Sequence, residues 1–221
     1  MIENVLHPRI IENKDWATIL FVLSFALVAI TRSVFENRFS EFSRLMVSDK
    51  YIKIYRDTSQ LMSWFNIILF VVQMISFAFF IQIILHSYGY VSKTDAITFI
   101  QIITFLSVFV LSKFLVEKII ATLFDIEEFE EQFNLHKISY RTYISLAVLP
   151  VNVILFYSNY QAKNLIPAII IAVLIINLWT YLVSLKNYQN LLLTKIFYFI
   201  LYLCTLEIAP YYFMYYWYTK N

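Results

Sequence analysis

Residues 16–35 read WATILFVLSFALVAITRSVF, an apolar run whose one charge, Arg32, arrives about a turn before its end. At about 1.5 Å per helical residue, roughly 20 residues cover a hydrocarbon core of roughly 30 Å. The run is therefore read as a membrane-spanning helix. The polar, mixed stretch before it (MIENVLHPRIIENKD, 1–15) has no short apolar core with a small-residue cleavage site, so it is not read as a secretory signal peptide.

The same reading extends outward along the chain. Further apolar runs at about 60–86, 96–124, 143–160, 165–185 and 196–217 predict five more spans. The run at 143–160 is the shortest and carries Pro150 and Asn152. The run at 96–124 exceeds the bilayer, so its last turns are expected to project into the cytoplasm. Of all residues 61% are hydrophobic and 14% charged, against about 45–50% and about 25% in soluble domains. An aqueous fold of 221 residues has too much surface for its volume to hide that fraction. The predicted class is all-α, a polytopic transmembrane bundle of six helices, forming one integral membrane domain over 1–221.

Residues 36–59 form the longest polar stretch. Phe35, Phe39, Phe42 and Met46 fall at helical spacing there, with Arg38 and Arg44 elsewhere on the wheel. That suits a helix lying in the interface plane, and equally a continuation of the first span into water. Orientation follows the loop cations. Arg32, Arg38, Arg44, Lys50, Lys53, Arg56, Lys113, Lys118, Lys137, Arg141, Lys186 and Lys195 gather on one side, twelve of the 17 Lys and Arg, leaving five on the other. The first set is placed in the cytoplasm and both termini outside, periplasmic in a bacterial inner membrane. Trp16, Tyr88, Tyr90, Tyr157 and Tyr160 suit an outer aromatic belt, and Trp64, Tyr140, Tyr143, Tyr181 and Tyr188 an inner one. The single glycine, Gly89, rules out GxxxG packing and removes the signal of glycine-broken transporter half-helices.

Few residues are candidates for chemistry. Glu207 sits mid-span in LYLCTLEIAPYYF, where an ionised carboxylate costs roughly 2.5–3.5 kcal/mol on insertion scales. It is a proton or cation site, an anchor for a partner's basic residue, or a protonated carboxyl that locks the bundle. Pro210 frees the carbonyl of Leu206, which marks either a packed bend or part of a cation site. Gln73, Ser107, Asn152, Asn177 and Glu207 fall at similar depth and would line a hydrated path or join helices as polar glue. Lys113 and Glu117, four apart, share a helical face and can pair. The acidic run at 125–131 is a solvated face, a partner to the basic loop, or a docking strip for another subunit.

No CxxC, HExxH or Cys/His cluster predicts a metal, and Cys204 has no second cysteine for a disulfide. The 3 histidines, His7, His86 and His136, fall at separate places in this topology. Neither catalytic residues nor a cofactor are predicted, and no basic stripe with aromatics suggests nucleic acid.

Asp15–Trp16 opening the first span, the Arg/Phe stretch after it, Lys113 and Glu117, and the segment LEIAP (206–210) together resemble a family of Bacteroidetes inner-membrane proteins of unknown function. The resemblance implies a Gram-negative cytoplasmic membrane and supplies no catalytic residues. Three function classes follow. The first is a non-enzymatic subunit of a secretion, motility or envelope-assembly complex, with other membrane subunits or a homo-oligomer as partners alongside the lipid bilayer. The others are a small proton- or cation-coupled transporter using Glu207 and, last, a lipid-modifying enzyme.

The charge count makes a topological prediction. In a Cys204→Ser background, Tyr90→Cys and Lys163→Cys should react with an impermeant thiol reagent added to intact cells. Lys50→Cys and Glu128→Cys should stay shielded, and outside labelling at position 128 would reverse the orientation.

Overall fold

A computed structural model describes residues 14–45, 51, 54–55, 63–123, 127–158, 165–187, 212 and 216, without the side chains of 128–130, 132, 165 and 181–187. Of the expected span at 196–217 only Tyr212 and Tyr216 are described, so Glu207 and Pro210 lie outside the described residues. Those described form an all-α array, in chain order α1 (Asp15–Val34), α2 (Glu36–Ser43), α3 (Trp64–Ser87), α4 (Ala96–Leu123), α5 (Glu127–Tyr157) and α6 (Leu165–Asn187). Four of them hold a stretch long and apolar enough to cross a membrane: α1, α3, α4 and the Phe133–Tyr157 part of α5, with mean hydropathies of 2.0, 2.6, 2.2 and 1.4. In α6 the described apolar stretch is shorter, Ile166–Thr180.

The four differ in where they sit. In α3, 61% of the apolar window is buried inside the protein, against 6% in α4. A helix apolar on all sides belongs in a protein core or in lipid. Here α3 occupies the first environment, packed by α1, α4 and α5, while α4 turns most of its apolar surface outward. The largest core forms where these four helices meet. Phe79 of α3 lies 4.1 Å, centroid to centroid, from Phe21, 4.5 Å from Phe99 and 5.7 Å from Phe156. Trp16 closes the stack on Phe79 and Phe99. Each such ring pair contributes about 0.5–1.5 kcal/mol beyond the area it buries.

Hydrogen bonds close this end of the bundle. The Trp16 indole donates to the Thr94 carbonyl at 3.2 Å, and the Lys93 ammonium to the Ser158 carbonyl at 2.9 Å. The Thr18 and Tyr157 hydroxyls also meet. The Gln82 amide donates to the carbonyls of Ser92 and Asp95 at 3.3 and 2.8 Å. Asp95 caps α4 by accepting from the Ile97 amide (3.0 Å) and the Thr98 hydroxyl (2.6 Å). These two bonds, the Thr98 one first, hold its carboxyl below the usual carboxylate range.

One finding departs from the sequence reading, and a second bears on an alternative that it left open. First, α5 begins at Glu127 rather than near residue 143 and runs 31 residues without a break, through Pro150. The acidic run from Glu127 on and residues 133–142, expected as a cytoplasmic loop, are thus its first turns. Polar turns of a span that projects beyond hydrocarbon look like a loop to a hydropathy reading. Second, the stretch after α1 is a distinct short helix. Phe35, with φ −119° and ψ 48°, leaves helical geometry between α1 and α2.

The one glycine has a specific job. Gly89 has φ +80° and follows α3. Its amide donates to the His86 carbonyl at 2.9 Å, and the Tyr90 amide reaches back to Leu85 at 3.0 Å. That pair of bonds is a Schellman cap, whose left-handed residue tolerates no Cβ cheaply. Nothing lies within 4 Å of where a Cβ would stand, so the cost of a side chain is conformational alone. Gly89→Ala should lower stability by about 1–2 kcal/mol, and Gly89→Asn by less, in thermal unfolding of the detergent-purified chain.

A charged and aromatic end of the bundle as the candidate functional site

Where α3 passes α5, the buried polar side chains meet each other. The Thr142 hydroxyl donates to the Gln73 side-chain carbonyl at 2.7 Å. The Ser76 hydroxyl donates to the Ser145 carbonyl at 2.8 Å, and the Asn152 amide to the Ser76 carbonyl at 2.8 Å. Gln73, Ser76, Ser145 and Asn152 are all nearly inaccessible. Of the polar residues expected at mid-depth, Gln73 and Asn152 are therefore brought together on one seam. Asn177 is not; its amide donates to the Val173 carbonyl of its own helix at 2.8 Å. Interhelical bonds of this kind average about 0.6 kcal/mol each.

Beyond the seam, at the end opposite Trp16, the charges collect. Glu117 of α4 is 3% exposed. Its carboxylate lies 4.0 Å from the Lys113 ammonium, the expected pair, and 3.0 Å from that of Lys137 on α5. Lys137 is the stronger partner, and sequence reasoning missed it because residues 133–142 were taken as loop. Continuing the apolar period of α5 backward through Tyr140 and Phe133 would have put Lys137 on a helix facing α4.

Next to this ion pair, a partly open cavity of about 40 Å³ lies between α5 and α6. His136, Lys137, Tyr140 and Arg141 line it from α5, with Asn177 and Thr180 opposite. The His136 and Tyr140 rings meet at a tilt of 32°, with centroids 4.6 Å apart. The Tyr140 hydroxyl donates to the Leu45 carbonyl at 3.3 Å, which ties α5 to the segment after α2.

The short helix α2 itself holds a buried cation. Arg38 was expected away from the apolar face of its helix, yet it is 7% exposed. Its guanidinium lies over the rings of Tyr55 and Phe65, 4.5 and 4.7 Å from their centroids, and 5.9 Å from that of Tyr51. It also donates to the Tyr51 hydroxyl and the Asn66 carbonyl oxygen, both at 3.5 Å. Aromatic faces are negative, and a desolvated cation over one gains about 2 kcal/mol or more. Burial pushes the Tyr51 phenol above its ordinary range, although Arg38 beside it pulls the other way. Phe35, Phe39 and Phe42 of the expected apolar stripe pack on the same cluster and cover α3 at Phe65, while Met46 lies outside the described residues.

Chemically this end can bind and hold; a metal is another matter. Among the described residues, no group of three or more His, Cys, Asp and Glu is placed to hold a metal ion. The family model described as Domain of unknown function (DUF4271) matches residues 17–218, which takes in both the seam and the charged end. No curated protein and no solved structure matches the chain.

The Glu117–Lys137 pair yields a double-mutant prediction. Removing the sole partner of a buried charge costs about 3–5 kcal/mol. Lys137→Met should destabilise the detergent-purified chain by less than that, because Lys113 stays 4.0 Å from the carboxylate. Adding Glu117→Gln should recover most of the loss in the same thermal melts, because the double variant buries no unbalanced carboxylate.

Proposed function

Because the chain belongs to the DUF4271 family, whose function is unknown, we propose its role from its own residues: a non-enzymatic, multi-pass subunit of a membrane complex. The observation that carries this reading is the seam between α3 and α5. Gln73 and Asn152 are the polar residues a hydrated path would need at mid-depth, and both are engaged at 2.7–2.8 Å with neighbouring helices. Such bonds rigidify a bundle and lead nowhere. The charged end supports the same reading, since a basic cluster at the rim of a bundle is suited to contact with another component.

The membrane is the inner membrane of a Bacteroidetes cell, on the resemblance carried by the Asp15–Trp16 and LEIAP segments. The charged end faces the cytoplasm, on the excess of Lys and Arg there. Secretion, motility and envelope assembly are the machines in which such a subunit would serve. Glu207 would then act as an intramembrane anchor for a basic residue of a partner helix.

Mild-detergent purification of the tagged chain from its native membrane tests the reading. A membrane partner in fixed stoichiometry, weakened by Glu207→Gln, is the expected result. Recovery of the chain alone, together with proton or cation flux in liposomes that Glu207→Gln abolishes, would make it a transporter instead.

A further inference from the structure

Two spans turn a broad face away from the bundle, and they treat their polar residues in opposite ways. On α1 the exposed residues of the span include Ile19, Val22, Phe25 and Ile30. Its Ser24 and Thr31 are turned inward, and each hydroxyl donates to the carbonyl four residues back, at 2.8 and 2.7 Å. That is how a helix face meets lipid. On α4 the buried residues Phe99, Glu117 and Ala121 mark the inner face. At about 100° per residue the opposite face is centred on Gln101, Phe105, Val108, Ser112, Leu115 and Ile119, all of them exposed.

Two residues of that outer face are polar. At about 1.5 Å per residue, Gln101 and Ser112 stand roughly 8 and 24 Å along the helix from Ala96. Ala96 is two residues past Thr94, whose carbonyl accepts from the Trp16 indole in the aromatic layer. Both polar residues therefore fall within a hydrocarbon core roughly 30 Å thick. Among the described residues neither side chain has a hydrogen-bond partner. Ser112 does not even bond back to its own helix, as Thr122 does to the Lys118 carbonyl. A carboxamide left unanswered in hydrocarbon is costly, so this face calls for another helix with a donor and an acceptor at the depth of Gln101.

The chemistry of the side chain says which helix. Copies of one chain insert in one orientation, so a two-fold axis along the membrane normal sets α4 beside α4 in parallel, each residue near its own equivalent. A glutamine carries both a carbonyl acceptor and an amide donor, so Gln101 can donate to its equivalent and accept from it. The Ser112 hydroxyl, also donor and acceptor, meets its equivalent eleven residues on, and its small size lets the backbones approach there.

We propose that the outer face of α4 is the surface on which two copies of this chain associate, in parallel, with the Gln101 side chains bonded to each other. The pairing needs neither Glu207 nor a second kind of protein, so it stands or falls apart from the role proposed above.

Disulfide trapping of the full chain in its native membrane tests it. In a Cys204→Ser background, Gln101→Cys and Ser112→Cys should give dimers of this chain on mild oxidation. Val22→Cys, on the outer face of α1, and Ile100→Cys, exposed but off the centre of the α4 face, should give few. Energy transfer between labelled copies in liposomes supplies a second measurement. Gln101→Leu should weaken association roughly tenfold, and Gln101→Asn, which keeps the amide on a shorter stem, should fall between. All these positions are exposed, so the substitutions leave the core as it is. Equal trapping at all four cysteine positions would mean random collision and overturn the interface. Association unchanged by Gln101→Leu would overturn it too. Trapping of a different protein at 101 and 112 would assign the face to that partner. Val108→Cys closing on the native Cys204 within one chain would assign it to the chain's own run at 196–217. Either result overturns the second copy.

Discussion

An amide or hydroxyl buried where no water reaches must find its partner within the protein, and α3 finds its partners on α5. Gln73 meets Thr142, Ser76 meets the backbone at Ser145, and Asn152 returns to the backbone at Ser76. The arrangement of the other described helices depends on this seam. With its one glycine in a turn, the bundle has no glycine groove to bring backbones together. Small polar residues take that place, and Ser76 can reach a main-chain carbonyl only because the two helices run close at that level. Once α3 and α5 are joined, α1 and α4 pack on α3 through Phe21, Phe79 and Phe99, and α6 attaches through α5.

The two ends of the bundle solve their polar problems differently. The Trp16 end uses hydrogen bonds to main-chain carbonyls, from an indole, an amide and a lysine. The other end buries charge, in two ways. Arg38 lies under ring faces, which supply a diffuse negative potential. Glu117 lies between two lysines, one on its own helix and one on α5.

Helices were legible in the sequence wherever apolar runs ended at charges. The predicted starts at Trp16 and Ala96 lie within a residue of those observed, because charged and capping residues, Asp15 and Asp95, stand directly before the apolar runs. The start of α5 was not legible. Its first turns carry Glu127, Glu131, His136 and Lys137, and a hydropathy window treats polar helix and polar loop alike. The loss mattered, because Lys137 is the residue that completes the ion pair on Glu117. Arg38 was misjudged for another reason. Position on a helical wheel separates apolar from charged residues, but says nothing about rings arriving from Tyr51, Tyr55 and Phe65, which are distant in sequence or on another element. The Lys113–Glu117 pairing was readable because both partners lie on one helix.

The length of α4 and α5 explains why charge can be buried at this end at tolerable cost. Their 28 and 31 residues correspond to about 42 and 46 Å, more than the roughly 30 Å of hydrocarbon. Registered at the Trp16 layer, both helices must project at the other end. The Lys113–Glu117–Lys137 cluster falls there, where lysine stems can cover apolar surface while their ammonium groups reach headgroups and water. A carboxylate at that level is compensated from two directions, by Lys113 of its own helix at 4.0 Å and by Lys137 of α5 at 3.0 Å.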